Sequence, residues 1–252
     1  MLNQPKNKEN LFLCFIDFKK AFDTIWRPGL HFKLFKSGLS SNTVLLIKDM
    51  YDKLYGYVKC GPYISNSFPI QIGSRHGCPL SPTLFNLFIN DLPIFLESCN
   101  CNPVYLNGVP INILMYADDV TLISYTKNGL QKSLNAIDIY AKKWNLIINV
   151  KKTKVIIFNS RRKINQNFML SNNIIQNCSS FCYLGIIINS KGSFKPGIKR
   201  LKDKASKAYV TWKQHFNNFN NASVFTLCKL FDSLCKPILL YGSEVWGAFC
   251  QR

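Results

Sequence analysis

The chain has 252 residues, 47% of them hydrophobic and 13% aromatic, enough to bury a sizeable core and too apolar for a disordered segment. Its 32 Lys and Arg against 13 Asp and Glu leave a net charge of +19, which points to a polyanionic partner such as nucleic acid or an anionic membrane surface. No uninterrupted apolar run reaches the roughly 18 residues of a membrane span, and the polar opening meets "LFLCFID" with no small-residue cleavage site, so neither a span nor a signal peptide is expected and an intracellular setting is.

"LFLCFID" is an apolar run that suits a buried strand delivering Asp17 at its end. A helix is expected over residues 29–50. "YGYVKCGPYISNSFPIQIG" then alternates β-formers with Gly, Pro and Asn, as paired strands joined by turns do. "SPTLFNLFINDLPIFLES" begins with Ser81 as a cap and Pro82 at the first helical position, and Pro93 is expected to kink or end that helix. "INILMY" and "VTLIS" read as a hairpin with "ADD" at its tip. A helix follows at about 128–144, then strands near "KVIIF" and "YLGIIIN". Last comes an amphipathic helix with Ile198, Leu201, Ala205, Ala208, Trp212 and Phe216 at steps of three and four, and Lys199, Arg200, Lys202 and Lys204 on its other faces.

The ten cysteines are scattered and no secretory signal accompanies them, so reduced thiols are expected. Cys178 and Cys182 have no second matched pair, which favours core packing over zinc. Residues 151–213 contain 14 Lys and Arg and a single acid, Asp203, so the second half is expected to face phosphate.

Strand, helix, hairpin, helix, strand is the order of an α+β sheet with helices on one face, and it can bring Asp17 beside Asp118 and Asp119. Three converging carboxylates repel one another and lose hydration, so they need a compensating cation. Oxygen ligands together with bound phosphate are what Mg²⁺ prefers. Two such ions about 4 Å apart can activate a hydroxyl and stabilise a leaving oxygen in phosphoryl transfer.

"FIDFKKAFDTI", "GSRHGCPLSP", "YADD", "NVKKTKVIIF" and "CYLGI" occur here in the order and at the intervals of a known family. Through them the chain resembles the reverse transcriptases of non-LTR (LINE-type) retrotransposons over roughly residues 10–190, and more weakly through "LLYGSEVWG". The resemblance implies a polymerase palm, an antiparallel sheet with helices packed on one face, with partial fingers within residues 1–190 and a short helical thumb-like segment over 191–252. It implies an RNA-directed DNA polymerase that extends a primer 3′-hydroxyl with deoxynucleoside triphosphates (dNTPs) on an RNA template, with two Mg²⁺ ions and Mn²⁺ as a substitute. RNA template, DNA primer or target and dNTPs are the implied partners.

By the same resemblance Asp17 and Asp118 hold the metals, with Asp119 a supporting carboxylate and Asp23 a local cap or ion pair. Phe22 occupies the position where an aromatic ring lines the sugar pocket and rejects a 2′-hydroxyl. Gly73 and Gly77 let the backbone approach nucleotide and template, and Arg75 contacts phosphate. His76 stands where the family usually has glutamine and belongs to the nucleotide site by position. Lys152 matches the lysine near the leaving pyrophosphate, with Lys151 and Lys154 close enough to compete for the role. Tyr183, Leu184 and Gly185 match the hairpin that grips the primer end, and the basic helix after Lys195 resembles the thumb that tracks the duplex backbone.

Asp17 lies so near Met1 that upstream fingers segments and an endonuclease are expected outside this chain. It then reads as a fragment of a longer polyprotein or a degenerate copy. The competing reading is a catalytically inactive RNA-binding remnant. An intron maturase or telomerase-like enzyme fits less well, because "KAFD" and "CPLSP" together look LINE-like. Action in the nucleus, the cytoplasm or both is expected; Arg161, Arg162 and Lys163 form only a short basic cluster.

Overall fold

The structure, a computed structural model, describes residues 10–75, 77–158, 166–216 and 223–247, with 215 and 216 described by backbone alone. His76 and the basic cluster at 161–163 lie outside the described residues. Strand β1 (Leu11–Asp17) sends Phe12, Cys14 and Ile16 into the core from one face. The helix expected over 29–50 is two, α1 (Arg27–Lys36) and α2 (Ser41–Asp52). Gly38 takes a φ of +86°, and the Ser40 hydroxyl accepts from the Thr43 N–H at 3.2 Å, so a left-handed stop and an N-cap fall within one short stretch.

Two nested strand pairs follow: β2 (Tyr55–Gly56) with β5 (Phe68–Pro69), and inside them β3 (Lys59–Cys60) with β4 (Tyr63–Ile64). Helices α3 (Leu80–Ile89) and α4 (Leu92–Ser98) divide the next apolar run. Ser81 is not the cap; it lies inside α3, and its hydroxyl donates to the Arg75 carbonyl at 2.6 Å. Pro93 sits in the first turn of α4, where a missing N–H removes no helical bond, so the break precedes the proline.

After the hairpin β6 (Val104–Leu106) and β7 (Val109–Ile111), strands β8 (Ile113–Tyr116) and β9 (Asp119–Ser124) form the second hairpin. Helix α5 (Lys127–Lys143) is capped by Thr126, whose hydroxyl accepts from the Gly129 N–H at 3.0 Å, and it buries Leu130, Leu134, Ile137 and Ala141 along one stripe. Strands β10 (Lys154–Phe158), β11 (Phe168–Leu170) and β12 (Asn173–Asn177) complete a six-stranded sheet of order β11-β12-β10-β1-β9-β8. Its middle is antiparallel, as expected, while β10 and β12 pair in parallel.

Register divides the faces. Phe12, Cys14 and Ile16 of β1 lie opposite Ser124, Leu122 and Val120 of β9, and the apolar members of this row pack with α3, α4 and α5 in one core. The alternate row, with Leu13, Phe15 and Asp17 opposite Ile123, Thr121 and Asp119, points to the other face. Helices thus cover one face, and the carboxylates belong to the other.

The chain divides into two compact units, Met1–Asn177 and Cys178–Arg252. In the second unit β13 (Ser180–Tyr183) and β14 (Ile186–Asn189) pair with each other as a two-stranded sheet. Helix α6 (Lys195–Phe216) buries Leu201 and Ala205 and exposes Lys199, Arg200, Lys202 and Lys204, the expected arrangement. Helices α7 (Val224–Leu234), α8 (Lys236–Leu240) and α9 (Ser243–Trp246) follow. Core packing accounts for Cys14, Cys101 and Cys235, whereas Cys60, Cys182 and Cys228 are exposed. Among the described residues no helix is long and apolar enough to cross a membrane.

Candidate active site

The β8–β9 hairpin turns over two residues, Ala117 and Asp118, with Tyr116 paired to Asp119. Asp119 is therefore the first residue of β9 rather than part of the tip. Ala117 adopts a φ of +51°, a left-handed conformation uncommon for a residue with a Cβ. Asp119 lies directly opposite Asp17, an arrangement that brings cross-strand Cβ atoms to about 5 Å. Tyr116, Asp119 and Asp17 thus form one row across three strands.

Asp17 is held from its other side as well. Its N–H donates to the Thr153 hydroxyl at 3.3 Å, and its carbonyl accepts from the Asn149 N–H at 2.7 Å. Thr153 is itself fully buried. The turn from "NVKKTK" is thereby docked on the backbone of Asp17, with Lys151 and Lys152 exposed beside it. Lys154 is engaged elsewhere, donating to the Lys151 carbonyl at 2.7 Å and to Gln176 Oε1 at 2.5 Å.

Burial, then Asp118 and then Asp17 push the Asp119 carboxyl above the usual carboxylate range. Among the described residues none of the three carboxylates pairs with a Lys or Arg. Nor do three His, Cys, Asp or Glu side chains close into a metal cage among those residues. This donor set fits Mg²⁺, which keeps several waters and is bound through one or two carboxylates plus substrate phosphates. Two residues along β9 the buried Thr121 hydroxyl has no partner among the described residues, so hydrogen-bonding capacity beside the carboxylates is also unused.

Phe22 is half-buried, its ring centroid 5.0 Å from that of Phe85 of α3. Its carbonyl accepts from the Ser74 N–H at 2.7 Å, which ties the turn after β1 to the segment "GSRHGCP". Gly73 (φ +80°) lies so close to this turn that a Cβ there would come 2.4 Å from the Asp23 carbonyl oxygen. Its lack of a side chain thus serves contact with the chain itself. Gly77 (φ +74°) faces open space, and Arg75 is exposed. Phe22, Arg75 and Gly77 consequently belong to one tied segment.

Two basic residues that organise this unit were not singled out from sequence. Arg27, only 8% exposed, donates from Nε to the Gly73 carbonyl at 3.0 Å, from Nη1 to Tyr51 at 3.0 Å and Ile70 at 2.7 Å, and from Nη2 to Ile72 at 3.3 Å. One guanidinium thereby holds three carbonyls of the stretch that ends at Gly73 and one from the end of α2. Lys33, 4% exposed, donates to the Phe88 carbonyl at 2.5 Å, Asp91 Oδ1 at 2.6 Å and the Tyr140 hydroxyl at 2.5 Å, and lies 3.8 Å from the centroid of Trp144. Burial lowers its pKa to about 8 despite Asp91. The sequence does carry a trace of both: a base inside the apolar stripe of α1. Their partners are too distant in sequence to read.

Tyr183, Leu184 and Gly185 fall in the second unit, where they end β13 and form the turn to β14.

A sheet with carboxylates at the end of its central strand and at an adjacent hairpin, on the face opposite the helices that pack on it, is the palm of a nucleotide polymerase. A family model described as Reverse transcriptase (RNA-dependent DNA polymerase) matches residues 2–188, and the chain belongs to that family, whose members generally use divalent metal ions. It is similar to the RNA-directed DNA polymerase from mobile element jockey of Drosophila melanogaster, 28% identical over 254 residues that cover 98% of this chain and 27% of that protein. The jockey polymerase of Drosophila funebris matches at 28% over 254 residues, again 98% and 27%. The Pol polyprotein from the type-1 retrotransposable element R2 of Popillia japonica is 24% identical over 194 residues, covering 74% and 32%. The chain spans about a quarter of the length of the jockey relatives.

Among solved structures, telomerase from Candida Tropicalis, determined with a TWJ fragment of telomeric RNA, superposes with a TM-score of 0.54 at 15% identity, covering 99% of this chain and 41% of that one. The apo form of that telomerase gives 0.51 at 15%, covering 95% and 43%. These likenesses establish the shared fold.

Proposed function

We propose that this chain carries the catalytic palm of an RNA-directed DNA polymerase of the non-LTR retrotransposon type, adding deoxynucleotides to a primer 3′-hydroxyl on an RNA template. The observation that carries the reading is the register of Asp17 against Asp119, with Asp118 in the adjoining turn, on the face that no helix of the unit covers. Asp17, Asp118 and Asp119 would hold two Mg²⁺ ions, or Mn²⁺ in their place. Bound there, such ions supply activation of the primer hydroxyl and charge stabilisation at the leaving oxygen.

The remaining roles belong to the chain's own groups. The Phe22 ring, backed by Phe85, excludes a 2′-hydroxyl from the sugar position and so favours dNTPs. Arg75 offers a planar fork of donors to phosphate, and Gly77 leaves the backbone accessible beside it. Lys152 neutralises or protonates the departing pyrophosphate, with Lys151 as its alternative. Tyr183, Leu184 and Gly185 steady the primer end, and the exposed lysines of α6 follow the DNA or RNA backbone by charge. His76 would join the nucleotide site by position. We place the protein inside the cell, in the nucleus, the cytoplasm or both.

The test is primer extension on poly(rA)/oligo(dT) with Mg²⁺, comparing the chain with Asp118→Ala. Extension that disappears in the variant is expected. A chain that binds the duplex without extending it would overturn the catalytic reading and leave an RNA-binding remnant.

A further inference from the structure

The stretch "LLYGSEVWG" has no role in the chemistry above, yet within the second unit it sits on the residues assigned to the primer. The turn between β13 and β14 holds two consecutive left-handed residues, Leu184 (φ +45°) and Gly185 (φ +82°), with Tyr183 paired to Ile186 across it. Gly185 suits such a turn, whereas Leu184 carries a branched side chain in a conformation that its Cβ disfavours. The turn therefore needs support from outside the hairpin.

That support comes from "YG". The Tyr241 phenol donates to the Leu184 carbonyl at 2.8 Å. Its ring lies against Gly185, where a Cβ would come 2.9 Å from Cε1. Gly242, at a φ of +69°, meets the neighbouring residue just as closely: a Cβ there would lie 2.5 Å from Ile186 Cδ1. Tyr241 is fixed in turn, because the Trp246 indole N–H donates to its carbonyl at 2.9 Å and the N–H groups of Val245 and Trp246 donate to the Gly242 carbonyl at 2.9 and 3.3 Å. Each member of the "YGSEVW" stretch that contacts the turn, or holds a residue that does, is accounted for.

We propose that Tyr241 and Gly242 are positioning residues that lock the turn at Leu184 and Gly185 in one conformation, so that a primer 3′ end meets a preformed surface. This rests on the reading of residues 183–185 as the primer grip. Locking matters because a rigid turn forfeits less freedom when the primer docks than one that must first order.

The test uses the whole chain with Tyr241→Phe, which removes the phenol and keeps the ring. Amide exchange at residues 184–186 reads the turn. Affinity for an RNA/DNA duplex with a recessed 3′ end, against the same duplex without one, reads the grip. Tyr241→Phe is expected to speed exchange and to weaken recessed-end binding about fivefold, the factor that one ordinary hydrogen bond is worth, with the endless duplex unaffected. Unchanged exchange in Tyr241→Phe would overturn the lock. Faster exchange with unchanged recessed-end affinity would keep the lock and overturn the grip reading beneath it.

Discussion

Charge is placed in two ways in the first unit, on opposite sides of the same sheet. Beneath the helix-covered face, Lys33 is surrounded by Asp91, the Tyr140 hydroxyl, the Phe88 carbonyl and three aromatic rings, so that the chain itself satisfies it. On the other face Asp17, Asp118 and Asp119 stand together without a cation from the described chain, and burial, then the two neighbouring carboxylates, push the Asp119 carboxyl upward. The first arrangement is complete before anything binds, and its value is structural. The second is incomplete by construction, and its missing term is the positive charge that a ligand must bring. A polar cluster solved internally marks architecture, while one left unsolved marks a site.

The sharpest way to break this contrast is to remove a charge from each side. Asp17→Asn should lower primer extension by about 10³-fold or more, because a metal-holding group acts directly in the transition state. It should also raise stability to denaturant, by about a few tenths of a kcal/mol once solvent screening is allowed for. A loss of stability in that variant would mean that the carboxylates are structural after all. On the other side Asp91→Ala should cost about 3 kcal/mol in chemical denaturation, since it strands the Lys33 ammonium. Lys33→Met, which leaves the Tyr140 hydroxyl bonded to Asp91, should cost about 1 kcal/mol, and equal losses from the two would refute the idea of a self-contained cluster.

Arg27 supplies an intermediate case, a buried base satisfied by carbonyls alone. Arg27→Met should cost about 2 kcal/mol and loosen residues 70–75 in amide exchange, because four carbonyls lose their donor together. Arg27→Lys should recover less than half, lacking the planar fork.

The smallest effect is one of pH. Lys33 titrates near 8 in the folded chain against about 10.4 unfolded, so the folded state binds fewer protons between these values. Stability from this group is lost as pH falls through 8 and grows as pH rises from 8 toward 10. Tyr140, whose pKa burial raises, works in the opposite sense once the unfolded phenol ionises near pH 10. The wild-type chain should therefore gain stability between pH 8 and 9.5 relative to Lys33→Met. Parallel pH profiles for the two would show that the ammonium is not strained by its burial.

Much of this was legible in sequence. Where information is local, it was readable: the apolar run of β1, the alternation around "ADD" and the three-and-four stripes of α5 and α6 all set their elements. Two further local signals lie in single residues rather than in periodicity. Gly38 followed by Ser40 is a stop and a start, and it divides the helix expected over 29–50. Pro93 opens α4 instead of kinking a longer helix. What could not be read is set by partners far along the chain. Lys33 meets Asp91 and Tyr140 across 58 and 107 residues, and Arg27 meets Gly73 across 46. The row of Tyr116, Asp119 and Asp17 likewise depends on register, and a slip of one residue would turn every carboxylate to the other face.

The place of β1 in the sheet has a consequence for how the protein is made. This strand lies between β9 and β10, so Cys14 is aligned with Leu122 on one side and Val155 on the other. Such pairings close loops of more than a hundred residues, the kind of contact that slows folding. During synthesis "LFLCFID" leaves the ribosome ahead of β9 and β10 and must wait, with two open edges and an apolar body, until about 140 more residues have followed it. For that interval it is an unpaired apolar strand of the kind chaperones shield, and a ribosome that stops before β9 releases a polypeptide in which Asp17 can never meet its counterpart.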